Sequence, residues 1–314
     1  MRKIIILFLI LLPISSRAYN IIYTSVDSIR IERMLCEARE LPSETNYMLH
    51  FAKAFLGTPY VAHTLDCYPE ENLVVNLSGM DCTTFMETVL SLSLCSLEQK
   101  TSFRDFCNFL RMIRYSRGEV SYLHRNHYLS GWIEENEKQG FVSSFSPQNT
   151  PALQNTPAPT PPHSCPAWYL STWSKEKTTP AIQRLNINYM STHVKKYTML
   201  TNHPEWIAGI KEMEKAYCGK EHAYIPKHAL FNTEQLRETI SDGDILPILT
   251  SIPGLDTSHV GIALWKDGKL FLLHASSRWK KVVIEPQPLS IYMKSQPKQI
   301  GIRVVKIAKN RQRR

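Results

Sequence analysis

The chain has 314 residues, of which 43% are hydrophobic, and this is enough for a well-buried core in one large domain or two small ones. Its formal net charge of +9 suits an anionic polymer or a membrane surface as a partner. The basic residues lack the interleaved aromatic side chains and basic stripes of a nucleic-acid binder, so we expect no DNA or RNA partner. No phosphate loop or dinucleotide fingerprint points to a nucleotide cofactor.

The first eighteen residues have the three-part pattern of a secretory signal. Two basic residues precede an apolar run over 4–14, and the small residues Ser16 and Ala18 occupy the two positions that a signal peptidase reads. We therefore predict a signal peptide over 1–18 and an exported, periplasmic protein; the alternative is a buried N-terminal helix. No later stretch approaches the ~20 apolar residues of a membrane span, so we expect no integral membrane segment after the signal is removed.

The sequence that follows predicts several helices and one short extended piece. Ser43 is a suitable cap for a helix that ends near Leu56, and Asp81 introduces an amphipathic helix over 83–94. Further helices are predicted at 103–115, 182–200 and 205–217, and the extended piece at 73–77.

Residues 146–166 hold seven prolines, with Ser, Thr, Asn and Gln between them. Such a run cannot hold a helix or a central strand, and it predicts an exposed loop. The alternative is a domain boundary. We favour an inserted loop because the candidate nucleophile and base described below lie on opposite sides of it, and we expect a single domain over 19–314.

The last part of the chain changes character. It contains short apolar or alternating runs separated by turns such as Lys266-Asp267-Gly268, and this pattern predicts an antiparallel sheet. The runs lie at 244–246, 259–265, 269–274, 281–285 and 300–307. Helices first and strands last predict an α+β fold, with the helices packed on one side of the sheet.

One of the seven cysteines has the position of a nucleophile. No Cys-x-x-Cys pair supports a zinc or thioredoxin site, and an odd count in an exported chain leaves at least one thiol unpaired. Cys82 directly follows Asp81 at the predicted start of a helix, where free N–H groups and the positive end of the helix dipole lower the pKa of a thiol. The alternative is an inert core cysteine.

Two histidines lie on predicted neighbouring strands. His259 opens an apolar strand in which Gly261 permits close approach, and His274 lies on the next strand after a short turn. Antiparallel pairing can bring the two imidazoles together, so that one orients the other. This is the arrangement of base and orienting residue that a cysteine hydrolase requires.

Together these residues resemble the NlpC-type clan of papain-fold cysteine hydrolases. Members of that clan have an Asp-Cys pair at the start of a helix, a strand that begins with His-Val-Gly, and a third polar residue on the following strand. Within that clan the sequence is closer to the bacterial N-acetylmuramoyl-L-alanine amidase-like family. The segments that carry the resemblance include Asp81-Cys82-Thr-Thr-Phe-Met-Glu87 and Leu255-Asp-Thr-Ser-His259-Val-Gly, together with 56–62, 73–77, 127–133, 188–193, 224–227 and 242–245.

The resemblance implies a papain-like NlpC-type core and hydrolysis of the amide between N-acetylmuramic acid and L-alanine in peptidoglycan fragments. Carried onto this sequence, Cys82 attacks the carbonyl carbon, His259 is the base and His274 orients it. The N–H of Cys82, with the Tyr60 hydroxyl, would stabilise the oxyanion. Acyl transfer through a thioester needs no cofactor, and we expect a monomer.

Five other residues are candidates for contacts with the substrate or the oxyanion: Asp81, Ser258, Arg125, His127 and Tyr128. Arg125 could pair with a substrate carboxylate, and the alternative is an ordinary surface or structural arginine. The two histidines near Arg125 lack the partner motif of a metal site, so we expect no metal.

Three other functions remain open from the sequence. The same catalytic residues could cut between D-glutamate and the diamino acid of the stem peptide. The chain could hold wall fragments without cleaving them, or act on lipids as an acyl hydrolase or transferase of the wider clan.

Overall fold

A computed structural model describes residues 19–145, 181–231 and 233–308 of the chain. The predicted signal peptide at 1–18 and the proline-rich segment at 146–166 lie outside these residues. Within them, no helix has both the length and the apolar character needed to cross a membrane.

The described residues before 146 are mainly helical. They form helices α1 (Ser25–Ala38), α2 (Tyr47–Ala54), α3 (Cys82–Leu97), α4 (Phe103–Arg114) and α5 (Leu129–Lys138), and strands β1 (Ile21–Ile22), β2 (Leu73–Val74) and β3 (Val142–Ser144). The central helix is α3, which packs against α1, α2, α4 and the sheet. Every residue from Thr84 to Ser96 is buried, because α3 has neighbours around its whole circumference.

A buried ion pair fixes α3 to its neighbours. Arg114 Nε donates to Glu87 Oε2 (2.7 Å), and its Nη1 donates to the carbonyl of Val74 (2.8 Å). Both charged side chains are almost fully buried. The contacts therefore join α3, α4 and β2, and removing one partner of such a pair typically costs about 3–5 kcal/mol.

The remaining described residues contribute short helices and most of the sheet. The helices are α6 (Tyr189–Thr192), α7 (Thr198–Asn202), α8 (Ile207–Tyr217), α9 (Thr233–Thr239) and α10 (Leu289–Lys294). The strands are β4 (Ala181–Arg184), β5 (Glu221–Pro226), β6 (Ile245–Thr250), β7 (Thr257–Lys266), β8 (Lys269–Ser276), β9 (Lys281–Ile284), β10 (Gln299–Ile302) and β11 (Val305–Ile307).

Strands β3 to β11 form one sheet within the described residues. The order is β4-β5-β10-β6-β7-β8-β9, and β11 pairs with both β6 and β3. All of these pairs are antiparallel, which confirms the predicted antiparallel sheet. The turn between β7 and β8 has positive φ at Asp267 (50°) and Gly268 (69°), the backbone that a tight hairpin requires.

The sheet is covered on both faces, so the expectation of helices on one side is wrong. Ile262 and Leu273 pack into the same core as α3, whereas Ala263 and Leu272 pack into a second core with residues of α9 and α10. Successive strand residues point to opposite faces, and apolar residues at consecutive positions therefore require cover on both.

Other differences concern particular elements. The N-cap of α2 is Asn46, whose Oδ1 accepts from Leu49 N–H (3.0 Å), and not Ser43. The predicted helix over 182–200 is wrong at its start, because residues 181–184 form β4 and pair with β5. The predicted helices at 83–94 and 103–115 are confirmed as α3 and α4.

Candidate active site

Cys82 is the first residue of α3, and a capping box fixes its position. Asp81 Oδ1 accepts from the backbone N–H of Thr84 (2.8 Å), and the Asp81 N–H donates to Thr84 Oγ1 (2.9 Å). The thiol is half-buried, and the backbone amide of Val260 on β7 reaches it. This places the sulfur beside the strand that carries His259.

The free thiol of Cys82 is protonated at neutral pH. Burial raises its pKa to about 12, and the Asp81 carboxylate contributes in the same direction. The Val260 amide and the Thr83 hydroxyl lower the pKa, but by less. The expectation of a lowered pKa at the helix start is therefore wrong: the buried position of the thiol outweighs the effect of the helix start.

A β-bulge shapes the start of β7. Ile248 of β6 pairs with His259, whereas the next residue, Leu249, pairs with Thr257, so Ser258 is an extra residue. Bulges redirect side chains and are frequent beside active sites. Ser258 is exposed at this bulge, and His259 follows it, half-buried.

The two predicted histidines are in contact. His259 Nε2 and His274 Nδ1 are 2.5 Å apart, and the rings are nearly perpendicular at 79°. Ile262 of β7 pairs with Leu273 of β8. The next position along the two strands therefore sets Gly261 opposite His274. His259, two residues before Gly261, lies diagonally across from His274. A Cβ at position 261 would lie 3.0 Å from His274 Cβ, so the glycine leaves room for the diagonal contact.

A buried carboxylate lies on the other side of His274, and sequence reasoning missed it. Glu285, just beyond β9, places Oε2 3.4 Å from His274 Nε2, and it accepts from Trp279 Nε1 (3.2 Å). Burial alone would raise the pKa of Glu285, but the nearby His274 imidazole and the hydrogen bond from Trp279 hold it below its ordinary value. The sequence offered one signal, an acidic residue at the end of the apolar run over 281–285, but this signal does not show what the carboxylate contacts.

His259 is neutral in the unliganded site. Burial lowers its pKa, and the neighbouring His274 lowers it further. Cys82 therefore begins a helix that packs on β7, the strand that carries His259; its thiol holds its proton, and the imidazole is neutral.

Tyr60 lies close to the start of α3. Its N–H donates to the carbonyl of Lys280 (2.9 Å), and residue 60 bridges to Met80, two residues before the thiol. Burial raises the pKa of Tyr60 to about 12, and the neighbouring Cys82 and Asp81 contribute in the same direction. The hydroxyl therefore keeps its proton and can donate a hydrogen bond next to the sulfur.

Residues 50–302 match the family described as AmiA-like, N-acetylmuramoyl-L-alanine amidase-like. The chain belongs to this family. A solved N-acetylmuramoyl-L-alanine amidase from Bacteroides uniformis is 38% identical over 84% of this chain and 98% of that chain, with a TM-score of 0.70. A Bacteroides fragilis protein whose name proposes a xylanase is 36% identical over 82% of this chain and 100% of that chain, with a TM-score of 0.68. No curated protein matches the sequence.

A Legionella pneumophila structure is similar to this amidase-like chain in fold. It is 23% identical over 90% of this chain and 94% of that chain, with a TM-score of 0.65.

Two of the predicted site residues of this amidase-like chain, Arg125 and His127, lie in another polar network. Arg125 pairs with Asp66 (Nη2 to Oδ1, 2.6 Å) and lies 3.6 Å from Glu71 Oε1. His127 Nε2 contacts the Tyr122 carbonyl at 2.7 Å. This pairing favours the structural alternative for Arg125.

Tyr128 is also held internally. Its hydroxyl donates to Glu214 Oε1 (2.8 Å) and accepts from the N–H of Met190 (3.0 Å). The residue is buried in a small core formed with α6, α7 and α8. Its polar atom is therefore already used in packing this part of the amidase-like fold.

The other described cysteines are free. Cys95 and Cys107 are buried, whereas Cys36, Cys67 and Cys218 are exposed; Cys165 lies outside the described residues. Among the described residues of this family member, no group of three or more His, Cys, Asp or Glu side chains has the arrangement of a metal site.

Proposed function

We propose that this amidase-like chain hydrolyses the amide between the lactyl group of N-acetylmuramic acid and L-alanine in peptidoglycan fragments, through a thioester on Cys82. The observation that carries the proposal is the polar row of His259, His274 and Glu285, which begins at the strand contacted by the Cys82 thiol. The named amidase from Bacteroides uniformis supports the choice of bond.

The proton states of the site suggest how the reaction starts. His259 takes the proton from the Cys82 thiol as the sulfur bonds to the carbonyl carbon, because neither group is charged beforehand. The N–H of Cys82 and the Tyr60 hydroxyl then donate to the carbonyl oxygen as it becomes negative.

Breakdown of this intermediate releases the stem peptide. The His259 imidazolium returns the proton to the amine of L-alanine, the C–N bond breaks, and a thioester remains on Cys82. His259 next removes a proton from water, which attacks the thioester and restores the thiol. Atoms and charges balance with water as the only co-reactant.

We also propose that the core is of the papain-like NlpC type and forms a single domain. A helix that begins with the nucleophile and packs on an antiparallel sheet with the base supports this type. Strand β3 precedes the proline-rich segment and β4 follows it, yet both join one sheet, which favours an inserted loop over a domain boundary. The signal pattern at 1–18 and the proposed substrate favour export to the periplasm.

Hydrolysis of a glycosidic bond fits the site less well. It generally needs two carboxyl groups that flank the sugar bond, one acting as acid and one as base or nucleophile. Near the thiol, Asp81 is engaged in the helix cap and Glu285 in the contacts with His274 and Trp279.

The test is mass spectrometry of defined disaccharide-peptide muropeptides incubated with the protein and with its Cys82→Ala variant. We expect free peptide that begins with L-alanine from the unmutated protein, and a rate lower by on the order of 10³-fold or more in the variant. Cys36→Ala removes an exposed thiol of α1 and serves as the matched control.

Each alternative has its own product. A disaccharide that still carries L-Ala-D-Glu would identify the endopeptidase, and cleavage between sugars would identify a glycosidase. Binding without cleavage would identify a muropeptide-binding protein. Full activity in Cys82→Ala would reject the thioester mechanism.

A further inference from the structure

We propose that Glu285 is a positioning residue of the site, which sets the tautomer of the two histidines and stabilises the positive charge that forms on them during acyl transfer. The inference rests on the proposed use of Cys82 and His259, and it extends the predicted pair of histidines by one buried carboxylate.

The first argument is geometric. His259, His274 and Glu285 lie diagonally across neighbouring strands, because Glu285 N–H donates to the Leu272 carbonyl (2.8 Å), two residues before His274. The contacts run from His259 Nε2 to His274 Nδ1 (2.5 Å) and from His274 Nε2 to Glu285 Oε2 (3.4 Å). His274 and Glu285 are 1% and 3% exposed, so water does not screen the second contact.

The second argument concerns hydrogen positions. An ionised carboxylate only accepts, so the His274 nitrogen that faces Glu285 carries hydrogen. In neutral His274 the other nitrogen is then an acceptor, and it takes the hydrogen of His259 Nε2. The remaining nitrogen of His259, Nδ1, keeps its lone pair and is the atom able to take the thiol proton.

The third argument concerns charge. When His259 takes that proton, a positive charge appears in a buried place, and the fixed negative charge of Glu285 offsets part of its cost through His274. The other charged or titratable groups near Glu285 are Arg278, in the turn before β9, and Tyr292, on α10. Because Arg278 would oppose a positive charge, Glu285 is the favourable partner among them.

A purely structural role predicts a different result. Glu285 also accepts from Trp279, and it could serve only to hold the turn between β8 and β9. In that case Trp279→Phe, which removes the indole N–H and keeps an aromatic ring, would have the same effect as Glu285→Gln. Under our proposal Glu285→Gln has the larger effect, because it removes the charge while the amide oxygen can still accept.

The experiment measures alkylation of Cys82 by iodoacetamide from pH 5 to 10, with the modified peptide quantified by mass spectrometry. This readout needs no muropeptide, so it separates failure of the inference from failure of the proposed substrate. Glu212→Gln removes an exposed carboxylate from α8 and is the matched control. Thermal unfolding of each variant checks its fold.

We expect the Cys82 thiol of Glu285→Gln to be alkylated about tenfold more slowly near pH 7. Losing the carboxylate lowers the pKa of the His259 imidazolium, and a fall of about one pKa unit makes the reactive thiolate–imidazolium pair about tenfold less populated. The difference between the two rates should narrow towards pH 10, because a growing share of the thiolate then forms by loss of the proton to hydroxide and not to His259. Trp279→Phe should slow the reaction less, and Glu212→Gln should match the unmutated protein.

Two results would overturn the inference. In the first, folded Glu285→Gln has the same alkylation rate as the unmutated protein at every pH. In the second, Trp279→Phe slows alkylation as much as Glu285→Gln does. If the Gln variant does not fold, Glu285→Asp keeps the charge and shortens its reach. We expect that variant to slow alkylation near pH 7 by a smaller factor, and an unchanged profile would again overturn the inference.

Discussion

Two polar clusters were predicted to serve the same site, and they differ in how their polar atoms are paired. In the first, His259 and His274 contact each other, and the Cys82 thiol is reached by a backbone amide, that of Val260, on the strand that carries His259. In the second, Arg125 already lies between two carboxylates, those of Asp66 and Glu71.

This difference in pairing gives a criterion for deciding whether a cluster of polar residues has a catalytic or a structural role. A catalytic group must be able to change its proton or its bonding partner, so one side of it stays available. A structural group has its donors and acceptors used within the protein, because a buried polar atom without a partner is costly. Residue type alone does not distinguish the two, since both clusters contain histidines.

The largest expected effect is a loss of stability when the ion pairs of the second cluster are removed. Arg125→Met leaves Asp66 and Glu71 without their cation, and we expect the free energy of unfolding to fall by about 3–5 kcal/mol. Denaturant unfolding measures this value. Arg33→Met removes a surface ion pair with Glu37 (4.0 Å) and should cost at most about 1 kcal/mol.

The opposite result would restore the original prediction for Arg125. If Arg125→Met unfolds like the unmutated protein and its KM for muropeptides rises, the guanidinium binds a substrate carboxylate.

A smaller effect is expected from the oxyanion side of the first cluster. Tyr60→Phe removes one donor and leaves the N–H of Cys82, so we expect kcat to fall by roughly 10²-fold with little change in KM. Initial rates of muropeptide cleavage measure both constants. Tyr23→Phe alters an exposed tyrosine before α1 and is the control. A loss confined to KM would mean that Tyr60 binds the substrate and not the transition state.

The smallest expected effect concerns His127 of the second cluster and the dependence of stability on pH. Burial, and then the charge of Arg125, lowers the pKa of His127 to about 3, whereas an unfolded histidine titrates near 6.5. The unfolded state therefore binds more protons between these values, and this contribution to stability is present above pH 6.5 and is lost as the pH falls towards 3.

In His127→Gln that loss should be absent. We expect the fall in unfolding free energy between pH 7.5 and pH 5 to be smaller than in the unmutated protein by about 2 kcal/mol. Urea unfolding at the two pH values measures it, and carboxyl groups that also titrate cancel in the difference. His50→Gln, at an exposed position, is the comparison variant. Equal losses in the His127 variant and the unmutated protein would mean that the folded protein holds His127 charged.

The strands near the end of the chain could be predicted because their patterns are local. The β7–β8 hairpin has apolar runs on both sides of a turn that contains Gly268, and both signals lie within a few residues. The strand β4 could not be predicted, since its stability comes from pairing with β5, and an isolated stretch of that composition also fits a helix. Cover on both faces of the sheet depends on short helices with weak patterns.

The site shows the same division. Cys82, His259 and His274 could be named from residue type and order; the structure brings the two histidines into contact and sets the thiol against the strand of His259, and their catalytic roles stay predictions. Glu285 could not, because its approach to His274 depends on the register of two strands and on a hydrogen bond to Leu272. The raised pKa of Cys82 was also missed, since the sequence reveals the helix start but not how deeply the sulfur is buried.

The pairing of α3 with β7 also has a consequence for the order of events in folding. Cys82 belongs to a helix in the first third of the chain, whereas both histidines lie on strands in the last fifth, and such distant contacts form slowly. Under the proposed mechanism, a chain whose last strands have not yet docked holds the thiol without its base. Activity would then appear only at the end of folding, when those strands join the sheet.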